Sequence, residues 1–422
     1  MTEAGRRVRA TLRRVPPANP QDQLGQAGGE HEESEVEDLQ ARLLAAETEL
    51  HQAAVLAAGY ADFGDSSYRS GLARLLEAIE VSDYSPQQRR RIRSVGIVPT
   101  LTSRLYSQRG WDAHPQCLDN AIEAPLVLCG MPRTGTTALH KLLSMDERFQ
   151  GLNGWLATYP MPRPAREDWP AIREYRAVAA GWKAVMSASP KHKAAHFRSA
   201  DEVDECLELM AQSFVTNLFP SVFRLPAYDL WFRTQDQRPT YRRFANNLRL
   251  IGSNEPEKAW LLKNPGHILA LDAMLEVFPD ARIVQTHRHP GEALGSIASL
   301  LAEVRRSFFG AELPTDDIAP REFGVWSAAV AAALAVRERH PDNFHDVIYR
   351  EFVADPMKAV SGVYDRFGMR LDNETLSRMR RWIAENPRGK HGAHDYDPET
   401  IGFSEALIQR HFGAYLQRFD LA

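Results

Sequence analysis

The segment Gly130-Met131-Pro132-Arg133-Thr134-Gly135-Thr136-Thr137 has the residue types of an oxyanion cradle. Its two glycines permit a tight turn in which successive backbone N–H groups converge on an anion. Thr136 and Thr137 add hydroxyl donors, and Arg133 adds a permanent charge. The pattern is not a Walker A loop, GxxxxGK[ST], whose Lys reaches the terminal phosphates and whose Ser or Thr holds magnesium. Thr136 stands at the Lys position, and the cation sits inside the loop. This points to a phosphate-type ligand and away from the usual Mg-ATP enzymes. Arg288 and Ser296 suggest a second oxyanion pocket: a forked guanidinium just after a strand, and a hydroxyl about two turns into the next helix. Lys263 offers a further strand-end cation, although a Lys there also suits a side chain that simply snorkels to water.

These groups need a scaffold. Pro125–Cys129 is a short apolar run ending at Gly130, as in a buried parallel strand, and a helix bearing Leu139, Leu142 and Leu143 follows. Trp260–Leu262, Ala281–Thr286 and Asp346–Tyr349 predict three more strands. Between them lie a helix over Ile268–Phe278 and one opened by Pro290, with Ala293, Leu294, Ile297, Leu300, Leu301 and Val304 at helical spacing. The expected fold class is α/β: a P-loop-type parallel β-sheet flanked by helices, with ligands at the carboxyl ends of its strands. Residues 151–255 interrupt the alternation as a mostly helical insertion, expected to build the substrate pocket. Trp155, Tyr159, Trp169, Tyr175 and Trp182 either line that pocket or belong to the core. Ala200–Phe214 reads as a helix with Val203, Leu207, Met210 and Phe214 inward and Glu202 and Glu205 on another face. The expected organisation is a disordered tail at 1–35, into whose end the acidic run Glu30–Asp38 begins, a helical extension at 36–120 and the main domain at 121–422.

Composition narrows the classes. The 422 residues carry a net charge of −4, so no global field recruits nucleic acid. The longest apolar stretches, such as Val325–Val336, fall short of the ~18 residues of a membrane span. Three cysteines without a CxxC pair exclude a disulfide framework and a Cys-rich zinc site. No HExxH or comparable grouping of metal ligands occurs, so no metal is expected. The basic arm around Arg6-Arg7 and Arg13-Arg14 is not followed by an apolar core, unlike a secretory signal. A cytoplasmic location is expected.

Taken together, Gly130–Thr137, Lys263-Asn264-Pro265, Arg288 and Ser296 resemble the P-loop sulfotransferases that use 3′-phosphoadenosine 5′-phosphosulfate (PAPS). The resemblance is to the bacterial branch, with features of tyrosylprotein sulfotransferases, and covers about residues 120–420. It implies that Arg133, Thr134, Gly135, Thr136 and Thr137 hold the 5′-phosphosulfate. Arg288 and Ser296 would hold the 3′-phosphate, and 3′,5′-ADP would be the product. Tyr349, in Tyr349-Arg350-Glu351-Phe352…Asp355-Pro356, is similar to the family's Y-x-[ED]-x-x-x-[DN]-P element and is implied to lie near adenine; a buried strand-end Tyr is the alternative. Arg388, Gly389 and Lys390 resemble the late basic loop over the 3′-phosphate, with Arg-Gly-Lys where the family more often has Arg-Lys-Gly. A solvated basic loop is the other reading. Lys263 is implied to act in the transition state.

The general base is expected to be His196, near where the cytosolic branch has its catalytic histidine, or Glu202; Glu205 shares the face of Glu202, and His267 is a remoter option. The Glu that serves the tyrosylprotein branch has no counterpart in Leu152–Leu156. The expected activity is sulfuryl transfer from PAPS to a hydroxyl or amine of a small-molecule acceptor. An atypical nucleotide kinase is the alternative enzyme, disfavoured by the missing Walker Lys. A non-catalytic binding protein is the third reading, disfavoured by two retained oxyanion sites. The helices at 36–108 could cap the fold or form a homodimer surface.

Overall fold

The computed structural model describes residues 27–188, 193, 197–309, 313–387, 390 and 403–421. Five strands form one parallel sheet: β1 (Leu126–Gly130), β2 (Phe149–Gly151), β3 (Ala259–Lys263), β4 (Arg282–His287) and β5 (Phe344–Ile348). Their order is β2-β3-β1-β4-β5. The chain therefore leaves β1 toward both sides of the sheet, and a crevice opens at the carboxyl end of β1.

Helices cover both faces. The helices used below are α1 (Ala27–Ala58), α2 (Tyr68–Glu80), α3 (Val98–Ala113), α4 (Thr136–Leu143), α5 (Arg238–Ile251), α6 (Pro290–Phe309), α7 (Ile318–Arg339) and α8 (Glu405–Phe419). Successive strand side chains point to opposite faces. Leu126, Leu128, Leu261 and Val284 accordingly pack with Leu139, Leu142 and Leu143 of α4. Val127, Cys129, Leu262 and Ile283 join the larger core with Tyr241 and Phe244 of α5 and Trp326 of α7. A second core buries Leu72, Leu75 and Leu76 of α2 and Leu101 and Leu105 of α3 against Phe214, Phe219 and Tyr228 from the insertion. No described helix is long and apolar enough to cross a membrane.

Two expectations change, one strand is new and one alternative is decided. The edge strand β2 was not anticipated, because three residues are too few to show a period. Helix α1 starts at Ala27, so the acidic run lies in helix and not in a disordered tail reaching residue 35. Trp155 and Trp169 are core residues packed edge to face, with ring centroids 5.4 Å apart. Ala200–Phe214 is not one helix: only Leu207–Ala211 is helical. Upstream, Val203 bridges Asn153 antiparallel, and the Asp204 and Cys206 amides donate to the carbonyls of Leu152 and Lys263 at 2.7 and 2.9 Å. These bonds to the sheet outweigh local helix propensity.

Candidate active site

The site sits at the carboxyl ends of four neighbouring strands. Within the sheet, Leu128 of β1 is in register with Lys263 of β3, and Gly130 with Thr286 of β4. Thr286 pairs in turn with Val347 of β5. The register therefore aligns Lys263, the loop after Gly130, Arg288 and Tyr349 along one edge of the crevice.

The loop is fixed by close backbone approach. Gly130 has φ 134°, and a Cβ there would lie 2.5 Å from the Thr286 carbonyl oxygen. Gly135 has φ 94°, and a Cβ there would lie 2.9 Å from the Tyr349 ring. Between them Arg133 adopts φ 68°, a left-handed conformation uncommon for a residue with a side chain. Thr134 is buried, donates to the Met131 carbonyl at 2.6 Å and shares a 2.5 Å hydrogen bond with Thr286 Oγ1. Thr136 and Thr137 open α4, whose free N–H groups face an incoming anion.

The two expected oxyanion sites prove to be joined. Arg133 Nε donates to Ser296 Oγ at 3.0 Å, and Arg288 Nη1 donates to the Arg133 carbonyl at 3.2 Å. The Arg288 guanidinium lies 4.6 Å from the Tyr349 ring centroid and pairs with Glu292 at 2.7 Å. Ser296 is buried in α6. Two cations, a hydroxyl, an aromatic face and the loop amides thus converge, a donor set suited to a ligand with two separate phosphate-type groups.

Lys263 is buried and pairs with Glu205. Glu202 instead pairs with Lys141 of α4 at 2.8 Å and accepts from Ser199. The extended backbone at 203–206, unlike the expected helix, separates the two carboxylates into different ion pairs. His267 is buried against Tyr241, with Nδ1 2.9 Å from the Tyr hydroxyl. Burial pushes its pKa down to about 3, so it is neutral and poorly basic. His140 of α4 is also buried; burial and then the Lys263 charge push it down to about 3. Tyr349 packs over Gly135 and Arg288 rather than only ending a strand. Lys390 turns its ammonium to Asn386 Oδ1 at 2.9 Å. His196, Arg388 and Gly389 lie outside the described residues. A cavity of about 250 Å³ opens beside this cluster. Its lining includes Asn264, next to Lys263, and Leu207, two residues from Glu205, with Met210, Leu269, Val325 and Ala329.

The comparisons with known proteins decide what this geometry belongs to. Residues 125–373 match the family model described as "Sulfotransferase family". The chain belongs to the sulfotransferase family. Sulfotransferase STF1 from Mycobacterium tuberculosis is 34% identical with a TM-score of 0.78, over 87% of this chain and 98% of that one. Sulfotransferase STF9 from Mycobacterium avium is 27% identical with a TM-score of 0.80, over 89% and 97%. A curated relative found in Mycobacterium tuberculosis and Mycobacterium bovis, omega-hydroxy-beta-dihydromenaquinone-9 sulfotransferase Stf3, is 24% identical over 70% of this chain and 75% of its own length. This sulfotransferase is an enzyme that transfers a sulfuryl group to a small-molecule acceptor.

Sequence reasoning left several contributors unnamed. Thr286 locks the loop but looks like any strand residue. Glu205 was passed over for Glu202, its neighbour on the expected helix face, until the backbone path separated them. Tyr415 and Asp346, described below, carry no local signal.

Proposed function

We propose that this sulfotransferase takes PAPS as donor and sulfates a hydroxyl of a largely apolar small molecule. The single observation that carries the donor reading is the convergence of Arg133, Ser296 and Arg288, which offers one cradle for the phosphosulfate and a second for a 3′-phosphate. ATP lacks the group that the second cradle would hold. Tyr349, lying on the Arg288 guanidinium, would flank the nucleoside, as the resemblance implies. Arg388, Gly389 and Lys390 would complete the 3′-phosphate side, as the resemblance implies.

In the proposed reaction the acceptor oxygen forms a bond to sulfur as the bond from sulfur to the bridging phosphate oxygen breaks. The acceptor proton passes to a base, and 3′,5′-ADP leaves with the bridging oxygen's electrons. Arg133 and the loop amides stabilise the charge on that oxygen, and Lys263 stabilises the sulfuryl oxygens. In the free enzyme Lys263 pairs with Glu205. A phosphosulfate competing for Lys263 would release the Glu205 carboxylate to take the acceptor proton. Glu205 therefore joins His196 and Glu202 as a candidate base, and its contact with Lys263 favours it over Glu202. The acceptor's apolar body would occupy the cavity beside Asn264 and Leu207, a reading in keeping with the quinone-derived acceptor that the name of Stf3 states.

The test is transfer of ³⁵S-labelled sulfuryl from PAPS to a panel of alcohols and phenols, with chelator present and with ATP as control donor. Label should reach an acceptor from PAPS alone. The double variant Arg133→Ala/Lys263→Ala should abolish transfer while binding to the apolar cavity persists. Retained transfer in that variant would refute the assigned roles.

A further inference from the structure

The residue before Arg288 belongs to a buried network that no ligand contact requires. His287, at the end of β4, is fully buried, with Nε2 2.9 Å from Asp346 Oδ1 of β5 and Nδ1 3.2 Å from the hydroxyl of Tyr415 in α8. Asp346 accepts from Arg337 of α7 at 2.7 Å. Arg288 follows His287 directly in the chain, so whatever fixes the His287 ring also fixes the start of the Arg288 backbone.

The polarity of this chain has one consistent arrangement. Burial works against ionising Asp346, but His287 and Arg337 outweigh it and hold its carboxyl below the ordinary range. Burial also keeps His287 neutral by lowering its pKa. A carboxylate only accepts, so His287 must donate from Nε2 and accept at Nδ1. Tyr415 then donates its O–H to His287. Every donor finds an acceptor from Arg337 through to Tyr415.

Helix α8 grips the same segment at further points. The Phe419 ring stacks on His287 with centroids 3.7 Å apart. Glu405 lies 3.8 Å from His289. A Cβ on Gly291 would lie 3.0 Å from Ile408. Residues 287–291 are therefore held from one side by a helix more than a hundred residues downstream.

We propose that Tyr415, fixed by the His287–Asp346–Arg337 chain, is a positioning residue that sets the backbone of Arg288 and hence the 3′-phosphate specificity of the donor site. This rests on the reading of Arg288 as the 3′-phosphate ligand. Tyr415 touches no substrate atom in this scheme; it acts through His287 on the adjoining Arg288.

The test is a double-mutant cycle on the full chain with Tyr415→Phe, Arg288→Ala and both, reading the affinities of 3′,5′-ADP and 5′-ADP by calorimetry. Tyr415→Phe should weaken 3′,5′-ADP about tenfold, the scale of one mispositioned charged hydrogen bond, and leave 5′-ADP unchanged. In the Arg288→Ala background it should add nothing. In turnover, KM for PAPS should rise while KM for the acceptor holds. Additive losses in the cycle, or equal weakening of both nucleotides, would overturn the proposal. If the wild type itself does not prefer 3′,5′-ADP, the donor reading fails instead, and that outcome is visible before any variant is made. Should Tyr415→Phe not fold, Asp346→Asn frees the His287 tautomer with Tyr415 in place. It should then show the same selective loss, and full 3′,5′-ADP preference in it would equally overturn the proposal.

Discussion

Arg133 shows what a single residue is asked to do. At φ 68° its backbone conformation costs about 1–2 kcal/mol relative to an ordinary one. The bonds from its guanidinium to Ser296 and from Arg288 to its carbonyl hold it there. Such strain serves a purpose only if the side chain must point to a fixed place. The same scale separates the two carboxylates. Glu205→Gln should lower kcat by about a hundredfold or more with little change in PAPS binding, the usual scale of losing a general base. Glu202→Gln, which alters only the contacts to Lys141 and Ser199, should stay within a few-fold of wild type. Single-turnover rates at saturating PAPS give the comparison, and a larger loss at Glu202 or His196 would move the base there.

Among the elements, the insertion and the N-terminal helices depend on one another through Arg104. This α3 side chain is fully buried and donates to the carbonyls of Phe63, Asp65 and Gln212 at 2.8, 2.6 and 3.2 Å. It also pairs with Asp65, while Gln212 accepts from Arg243 at 3.0 Å. Arg104→Ala should cost about 3 kcal/mol, because buried carbonyls and a carboxylate lose their partner together. A urea titration measures it, and a loss under 1 kcal/mol would show the network to be dispensable. The apolar runs of β1, β3 and β4 were legible because strands buried on both faces need continuous apolar residues. The cradle was legible because its glycines and donors are contiguous. The path of residues 200–206 was not, since its amides bond to Leu152 and Lys263, partners that no local pattern reveals. Tyr415 was illegible for the same reason: nothing in sequence ties it to Arg288.

For the molecule as a whole, buried neutral histidines set an acid limit. His140 and His267 titrate near 3 in the native state, and burial also lowers His287 and His345. In the unfolded chain they take protons near pH 6.5. Above that pH both states are neutral and the groups contribute nothing to the pH dependence. Below it the unfolded state binds protons that the native state refuses, so stability falls by up to about 1.4 kcal/mol per pH unit for each such group. The melting temperature should drop steadily from pH 7 to pH 5, and a flat profile would show that these imidazoles are hydrated in solution. The carboxyls of Asp65, Asp146 and Asp346 are held below their ordinary range and extend the loss to lower pH.

One measurement bears most directly on the donor site that unites these scales: calorimetric binding of 3′,5′-ADP and 5′-ADP to the wild-type chain, with chelator in place of magnesium. A 3′-phosphate gripped by Arg288 and Ser296 predicts that 3′,5′-ADP binds at least tenfold more tightly, about 1.4 kcal/mol or more. Equal affinities, or a magnesium-dependent preference for ATP, would contradict the PAPS assignment.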